Sequence, residues 1–299
     1  MTGSKNFLFK IYKKCRDKAN GGHGIGFGKS YIGKKIINST NDMLKPDYCT
    51  IQGHKMFLDK HDSLDLSLNQ EYGVLETKII KDEVKLGDNV IDLGAHIGYY
   101  TLLLAKSIGS NGKVFAFEPE QSNFSILQKN ISENNYTNVI SEQKAVSDSN
   151  SKINFWIGQD SSGANRIYKP DKTNTQKFKL STVDCIKLDD YFSKSEFFNK
   201  INFIKMDLEG AEYNALLGMR SLLENNTKIS ILTEFSPNSL YDAGTSPSKF
   251  FDLFLDLGFE LFHLDDVSKK IILIEKNDLL EINSTNQVIN LLCKKQTEK

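Results

Sequence analysis

The chain has 299 residues, and its 38 Lys plus Arg are matched by 38 Asp plus Glu, so the formal net charge is zero. That balance, with an apolar fraction of 39%, argues against an electrostatic nucleic-acid or membrane binder and fits one large core with a smaller flanking element. Cys15, Cys49, Cys185 and Cys293 are far apart and form neither a CxxC pair nor a Cys/His cluster, so a reduced, cytoplasmic chain without a zinc site is expected.

Residues 1–69 read as an N-terminal extension of helix, glycine-rich loop and small β cap. Phe7, Leu8, Phe9 and Ile11 are interrupted by Lys5, Lys10, Lys13 and Lys14, which leaves neither a signal-peptide core nor a membrane span. The glycine cluster at 21–33 reads as a loop, because no apolar strand precedes it and no GK[ST] completes a phosphate-binding motif. Residues 48–58 read as two short strands about a turn and, with 64–68, as an antiparallel cap.

From 70 to 275 the pattern predicts a Rossmann-like α/β domain, with a mostly parallel sheet, helices on both faces and an antiparallel edge. Strands are expected at 90–93, 113–117, 139–140, 202–206 and 229–233. Helices are expected at 99–108, at 122–130 with Ser122 as cap, and from 211. The polar connection at 153–183 carries two further strands, and 259–264 with 271–275 complete the edge. Residues 276–299 read as a polar tail or helix.

In such a sheet, ligands gather at the carboxyl ends of strands where the chain order reverses. The first strand ends in Asp92-Leu93-Gly94-Ala95-His96-Ile97-Gly98 and runs into a helix beginning at Tyr99. Gly94 is expected to allow a tight turn and close ligand approach, and Gly98 to let the helix start against the strand. Backbone amides at that helix start suit a carboxylate, and Asp92 suits an ammonium, which together describe a methionine tail. The second strand ends in Phe117-Glu118-Pro119, where Glu118 can accept from two ribose hydroxyls. A nicotinamide dehydrogenase is the competing reading, but its pyrophosphate calls for GxGxxG and Asp92 stands where the first glycine belongs. S-adenosylmethionine is the expected cofactor.

These segments, with Ile204-Lys205-Met206-Asp207-Leu208-Glu209-Gly210-Ala211-Glu212, resemble the FkbM-type family of S-adenosylmethionine-dependent methyltransferases over about residues 50–265. Weaker correspondences lie at 73–76, at Lys144-Ala145-Val146 and at 233–237. The resemblance implies a class I methyltransferase fold and methyl transfer, usually to an oxygen of a sugar or natural product, hence a small-molecule or glycan acceptor. It adds Glu76, Ala145 and Val146 to the expected cofactor contacts. It also places the 207–212 segment beside the cofactor's reactive end.

An oxygen acceptor must lose a proton as the new bond forms. Asp207 is the first candidate base, Glu209 the second, and Glu212 an orienting group; all three can instead cap or flank the following helix. The same carboxylates can hold magnesium, but no spacing demands it and a metal-free reaction is expected. Ser161, Ser162, Asn165 and Arg166 read as an exposed loop that can pass over the acceptor. The alternatives are N-methylation on the same cofactor site and a non-catalytic adenosyl-ligand-binding protein. Oligomeric state is left open.

Overall fold

A computed structural model describes residues 8, 9, 11–13, 40, 43–159, 161–170, 177–285 and 287–295; the predicted glycine-rich loop at 21–33 lies outside them. The hairpin of the expected cap is present as β1 (Tyr48–Ile51) and β2 (His54–Phe57), whereas residues 64–68, expected to continue it, run into a short helix, Leu66–Asn69. Its turn falls at Gln52 and Gly53, whose φ values of 48° and 89° supply the two left-handed residues of a tight hairpin.

The other edge of β2 is completed by side chains rather than by a strand. Asn130, on the helix Gln121–Glu133, accepts from Phe57 N at 2.7 Å and donates to Phe57 O at 3.1 Å and to Ile97 O at 2.7 Å. One turn later, Asn134 accepts from Lys55 N at 2.9 Å and donates to Lys55 O at 2.8 Å. Two carboxamides four apart on a helix therefore meet two backbone units two apart on a strand. Asn130→Ala leaves the Phe57 N–H without its acceptor in a buried setting, and an expected loss of about 3 kcal/mol is measurable by urea denaturation.

The alternating unit then begins with a helix the sequence reading did not anticipate, Val74–Glu83. It continues through β3 (Asn89–Leu93), β4 (Lys113–Phe117) and β5 (Val139–Glu142). The predicted helix Tyr99–Ile108 is present. The next helix starts one residue before Ser122, and its cap is Glu120, whose side chain accepts from Asn123 N. Next come β6 (Ala145–Val146), β7 (Ser151–Gly158) and β8 (Phe178–Ile186), which form a separate three-stranded sheet. The chain returns to the main sheet with β9 (Ile201–Met206), β10 (Ser230–Phe235), β11 (Phe259–Asp265) and β12 (Lys270–Ile274).

The polar tail or helix expected at 276–299 holds only for its first part and is corrected for the rest. Its first part is a helix, Lys276–Thr285, but β13 (Ile289–Lys295) enters the sheet between β10 and β11, antiparallel to both. Ile289, Leu291, Leu292 and Cys293 are buried there, so the domain runs on to residue 295. The main sheet has the order β12-β11-β13-β10-β9-β3-β4-β5, with β10, β9, β3, β4 and β5 mutually parallel. One face packs on phenylalanine-rich helices, where Phe250 and Phe254 lie 5.0 Å apart, and the other on the helices before and after β3 together with the hairpin. No described helix is long and apolar enough to cross a membrane.

β3 lies between β9 and β4, so the chain order reverses at its carboxyl end. The ends of β3, β4, β9 and β10 open there into one cleft.

Candidate functional site

The loop after β3 is held through its backbone amides, most of which bond to the end of β4. Gly94 N and Ala95 N both donate to Phe117 O at 3.0 Å, Gly98 N donates to Ala95 O at 2.8 Å, and His96 N donates to Glu118 Oε2 at 2.9 Å. Gly94, His96 and Gly98 have φ of 77°, 51° and 95°. A Cβ on Gly94 would lie 1.9 Å from Asp207 O, and one on Gly98 2.8 Å from Leu127 Cδ1. The glycines thus admit the end of β9 on one side and the helix Gln121–Glu133 on the other. The tight turn and ligand approach expected of Gly94 are compatible with this, since Gly94 also lines the cleft, whereas at Gly98 the close neighbour is Leu127 rather than the strand. With the amides of 94, 95, 96 and 98 engaged, those of the first helical turn beyond Gly98 are the ones without intrahelical partners.

The cleft, of about 140 Å³, is lined by Gly94, Ala95, His96 and Tyr99 from this loop and by Glu118 and Pro119 from the end of β4. Ala145 and Val146 close it on a third side, and Asp207 and Glu209 on the side facing the loop. Glu118 accepts from His96 N with one oxygen and from Glu120 N with the other, at 2.8 Å. Burial pushes its pKa from 4.5 up to about 7, against these backbone donors. The Tyr99 hydroxyl receives Gln52 Nε2 and Tyr72 N, tying the hairpin and the 70–73 segment to the loop.

Other expected contacts lie elsewhere. Asp92 is 1% exposed and sits behind the loop; its Oδ2 accepts from Thr101 Oγ1 at 2.5 Å, and its Oδ1 has no protein partner. Ile97 is core and Gly98 is packed against Leu127. Glu76 lines a small side pocket with Asn290, Lys205 and Glu234 rather than the cleft, and its Oε1 accepts from Asn290 Nδ2. Glu212 is buried, with its Oε1 accepting from Leu208 N at 2.8 Å, so it fixes the 207–211 turn and does not reach the cleft.

Lys144, Lys205 and Glu234 are charged residues of the cleft given no role from the sequence, and the last two lie in strands of the main sheet. Lys205 is 6% exposed, with Nζ 2.8 Å from Asp207 Oδ2 and 4.9 Å from the centre of the Tyr100 ring. Burial draws its pKa down, but Asp207 and Asp92 outweigh it and hold the ammonium charged. Glu234, on β10, is pushed up to about 9 by burial and then by Asp207 and Glu209. The available signal was the charge itself, since an ionisable residue inside a parallel strand covered on both faces needs a partner or a task. Glu209 has φ 53° and its Oε2 lies 3.9 Å from Arg166 Nη2. Burial, then Asp207, raise it to about 8 against the pull of Arg166.

The polar connection expected as an exposed loop is instead a wall. Ser162, Gly163, Asn165 and Ile167 line the cleft, and Arg166 pairs by backbone with Trp156. Ser162 Oγ donates to Asp59 Oδ2 at 2.8 Å and lies 2.7 Å from His96 Nε2, while Asn123 Nδ2 donates to Ser162 O at 3.2 Å. Since the Ser162 proton goes to Asp59, His96 donates through Nε2. Burial lowers the pKa of this imidazole, so it is neutral and its side chain holds the wall in place.

A family model described as the methyltransferase FkbM domain matches residues 92–261. A protein named methyltransferase 1, from Beauveria bassiana strain ARSEF 2860, is 27% identical over 144 residues, covering 44% of this chain and 57% of that protein. The chain therefore spans little more than half the length of that relative. Among solved structures, an S-adenosylmethionine-dependent O-methyltransferase from Thermotoga maritima is 14% identical, with a TM-score of 0.42, over 88% of this chain and 82% of that one. An S-adenosylmethionine-dependent methyltransferase from Aquifex aeolicus is also 14% identical, with a TM-score of 0.38, over 74% and 88%.

Proposed function

Because the chain belongs to the family of FkbM-domain methyltransferases, we propose that it transfers a methyl group from S-adenosylmethionine to a hydroxyl of a sugar or other natural-product acceptor. The observation that carries the reading is one cleft whose lining brings Gly94, Ala95, His96 and Glu118 together with Asp207, Glu209 and Glu234. Glu118 fits a ribose: its two backbone donors orient it, and an ionised carboxylate keeps lone pairs for two hydroxyls. The methionine carboxylate suits the first helical turn beyond Gly98. Bound cofactor supplies a methyl group already activated on a sulfonium, so alignment of acceptor and methyl is the larger part of the enzyme's work.

The remaining chemistry is removal of the acceptor proton. Asp207 is bonded to the buried ammonium of Lys205, which suits it to orienting, whereas Glu209 has been raised to about 8, near the pH at which a general base works best. The order expected from the sequence, Asp207 before Glu209, is therefore reversed in this proposal. Below about pH 8 Glu209 holds its proton and cannot accept another. Turnover is expected to rise with pH through about 8, and Glu209→Gln to abolish that limb and lower kcat by roughly 10²–10⁴-fold. Methyl-labelled S-adenosylmethionine offered with matched sugars and amino sugars tests the acceptor class; label passing only to nitrogen would sink the oxygen assignment.

A further inference from the structure

β12 ends the main sheet on the side opposite β5 and pairs with β11 on one edge. Among the described residues, no strand pairs with its other edge. Edge strands are ordinarily blunted by a central charge, a proline or a bulge. β12 has none of these: its register with β11 is unbroken from Lys270 to Ile274, and Ile271, Ile272 and Leu273 follow one another at 45%, 42% and 54% exposure. The charges stand only at its ends, Lys269 before it, Lys270 as its first residue and Glu275 after it, all exposed.

This arrangement is complementary to itself. Antiparallel pairing about a twofold axis through Ile272 sets Ile271 opposite Leu273 and Lys270 opposite Ile274, twice over. Just beyond the paired residues, Lys269, the last residue of the turn with φ 57° and Nζ 3.3 Å from Asp266 Oδ1, comes near Glu275 of the other copy at both ends, so unlike charges meet. A closed twofold contact uses one patch on both molecules, and this patch meets that condition in shape, polarity and charge.

We propose that β12 joins two copies of the chain edge to edge, so that the sheet continues across a homodimer. The pairing covers the three aliphatic side chains on each copy and satisfies the outer backbone groups. The cleft opens at the ends of β3, β4, β9 and β10, with β13 and β11 between it and this edge, so both clefts stay accessible.

Sedimentation velocity of the full chain across a wide concentration range is the test. The wild type is expected to be dimeric, and Ile272→Lys, with unchanged circular dichroism, monomeric. Lys269→Glu and Glu275→Lys each place like charges at both ends and are expected to weaken the dimer about tenfold. Mixing these two variants restores unlike charges at both ends of the mixed dimer, so dimer is expected to return. A monomeric wild type, a dimer indifferent to Ile272→Lys, or no recovery on mixing would each overturn the proposal.

Discussion

Replacing Glu118 with alanine is expected to weaken binding of S-adenosylmethionine and S-adenosylhomocysteine about a hundredfold in calorimetric titration, with NAD failing to bind either protein. Two hydroxyl groups bonded to one carboxylate are worth about 3 kcal/mol, taking the low end for bonds to a charged acceptor, and that energy is about two decades in Kd. The side chain also receives His96 N and Glu120 N, so alanine relaxes the loop as well. Glu118→Gln, which keeps an acceptor of the same shape, separates the two effects. The pH dependence has a definite sign. Since burial lifts Glu118 from 4.5 to about 7, its ionisation destabilises the ligand-free fold progressively between those values and no further above about 7. Ligand affinity runs the other way, falling below about pH 7 as the acceptor is protonated, and this dependence should vanish in Glu118→Gln. Unaltered binding by Glu118→Ala would remove the ribose assignment.

The second large effect is expected at Gly94. Alanine there must hold a φ of 77° and place its Cβ 1.9 Å from Asp207 O. That oxygen belongs to the backbone where β9 ends, and Asp207 N is itself bonded to Leu93 O at 3.0 Å. No rotamer change relieves the clash, so the two strand ends must part. The left-handed conformation alone costs roughly 1–2 kcal/mol, and the parting brings the expected loss to about 3 kcal/mol or more. Calorimetric Tm should fall by roughly 6–12 °C. Gly87→Ala, at a similar φ of 88° but with nothing near its Cβ, is the control, and equal losses at both sites would mean that conformation rather than crowding sets the cost.

Much of the fold was legible because strong local patterns coincide with the central strands. β3, β4 and β9 are apolar runs buried on both faces, and the helix Tyr99–Ile108 follows its strand directly. The missed elements lack such patterns. β13 has four apolar residues interrupted by Asn290 and followed by two lysines, and it is a strand because β10 and β11, distant in sequence, leave a slot between them. Val74–Glu83 alternates Glu76, Lys78, Lys81 and Asp82 among its apolar residues, which blurs its helical period. Glu118 and Gly94, singled out in the sequence, do line the cleft, and Gly94 and Gly98 also answer to protein neighbours. The rest of the cleft was only half legible. Lys205 and Glu234 become interpretable once β9 and β10 lie side by side, and Ser162 once the hairpin's Asp59 and the loop's His96 converge on it.

The amide ladder from Asn130 and Asn134 to β2 also bears on the order in which the molecule can be assembled. The hairpin leaves the ribosome more than seventy residues ahead of the side chains that complete its edge, and an isolated two-stranded hairpin is marginal in water. Until residue 134 has emerged, β2 offers a bare rim to any neighbour, and closing a loop of that length is a slow, non-local step. Nascent chains stalled short of residue 130 should therefore expose Lys55 and Phe57 to protease, and chains released beyond 134 should not. Asn130 bonds both Phe57 and Ile97, so the event that seats the hairpin also seats the end of the glycine loop, and one side of the cleft is fixed in the same step.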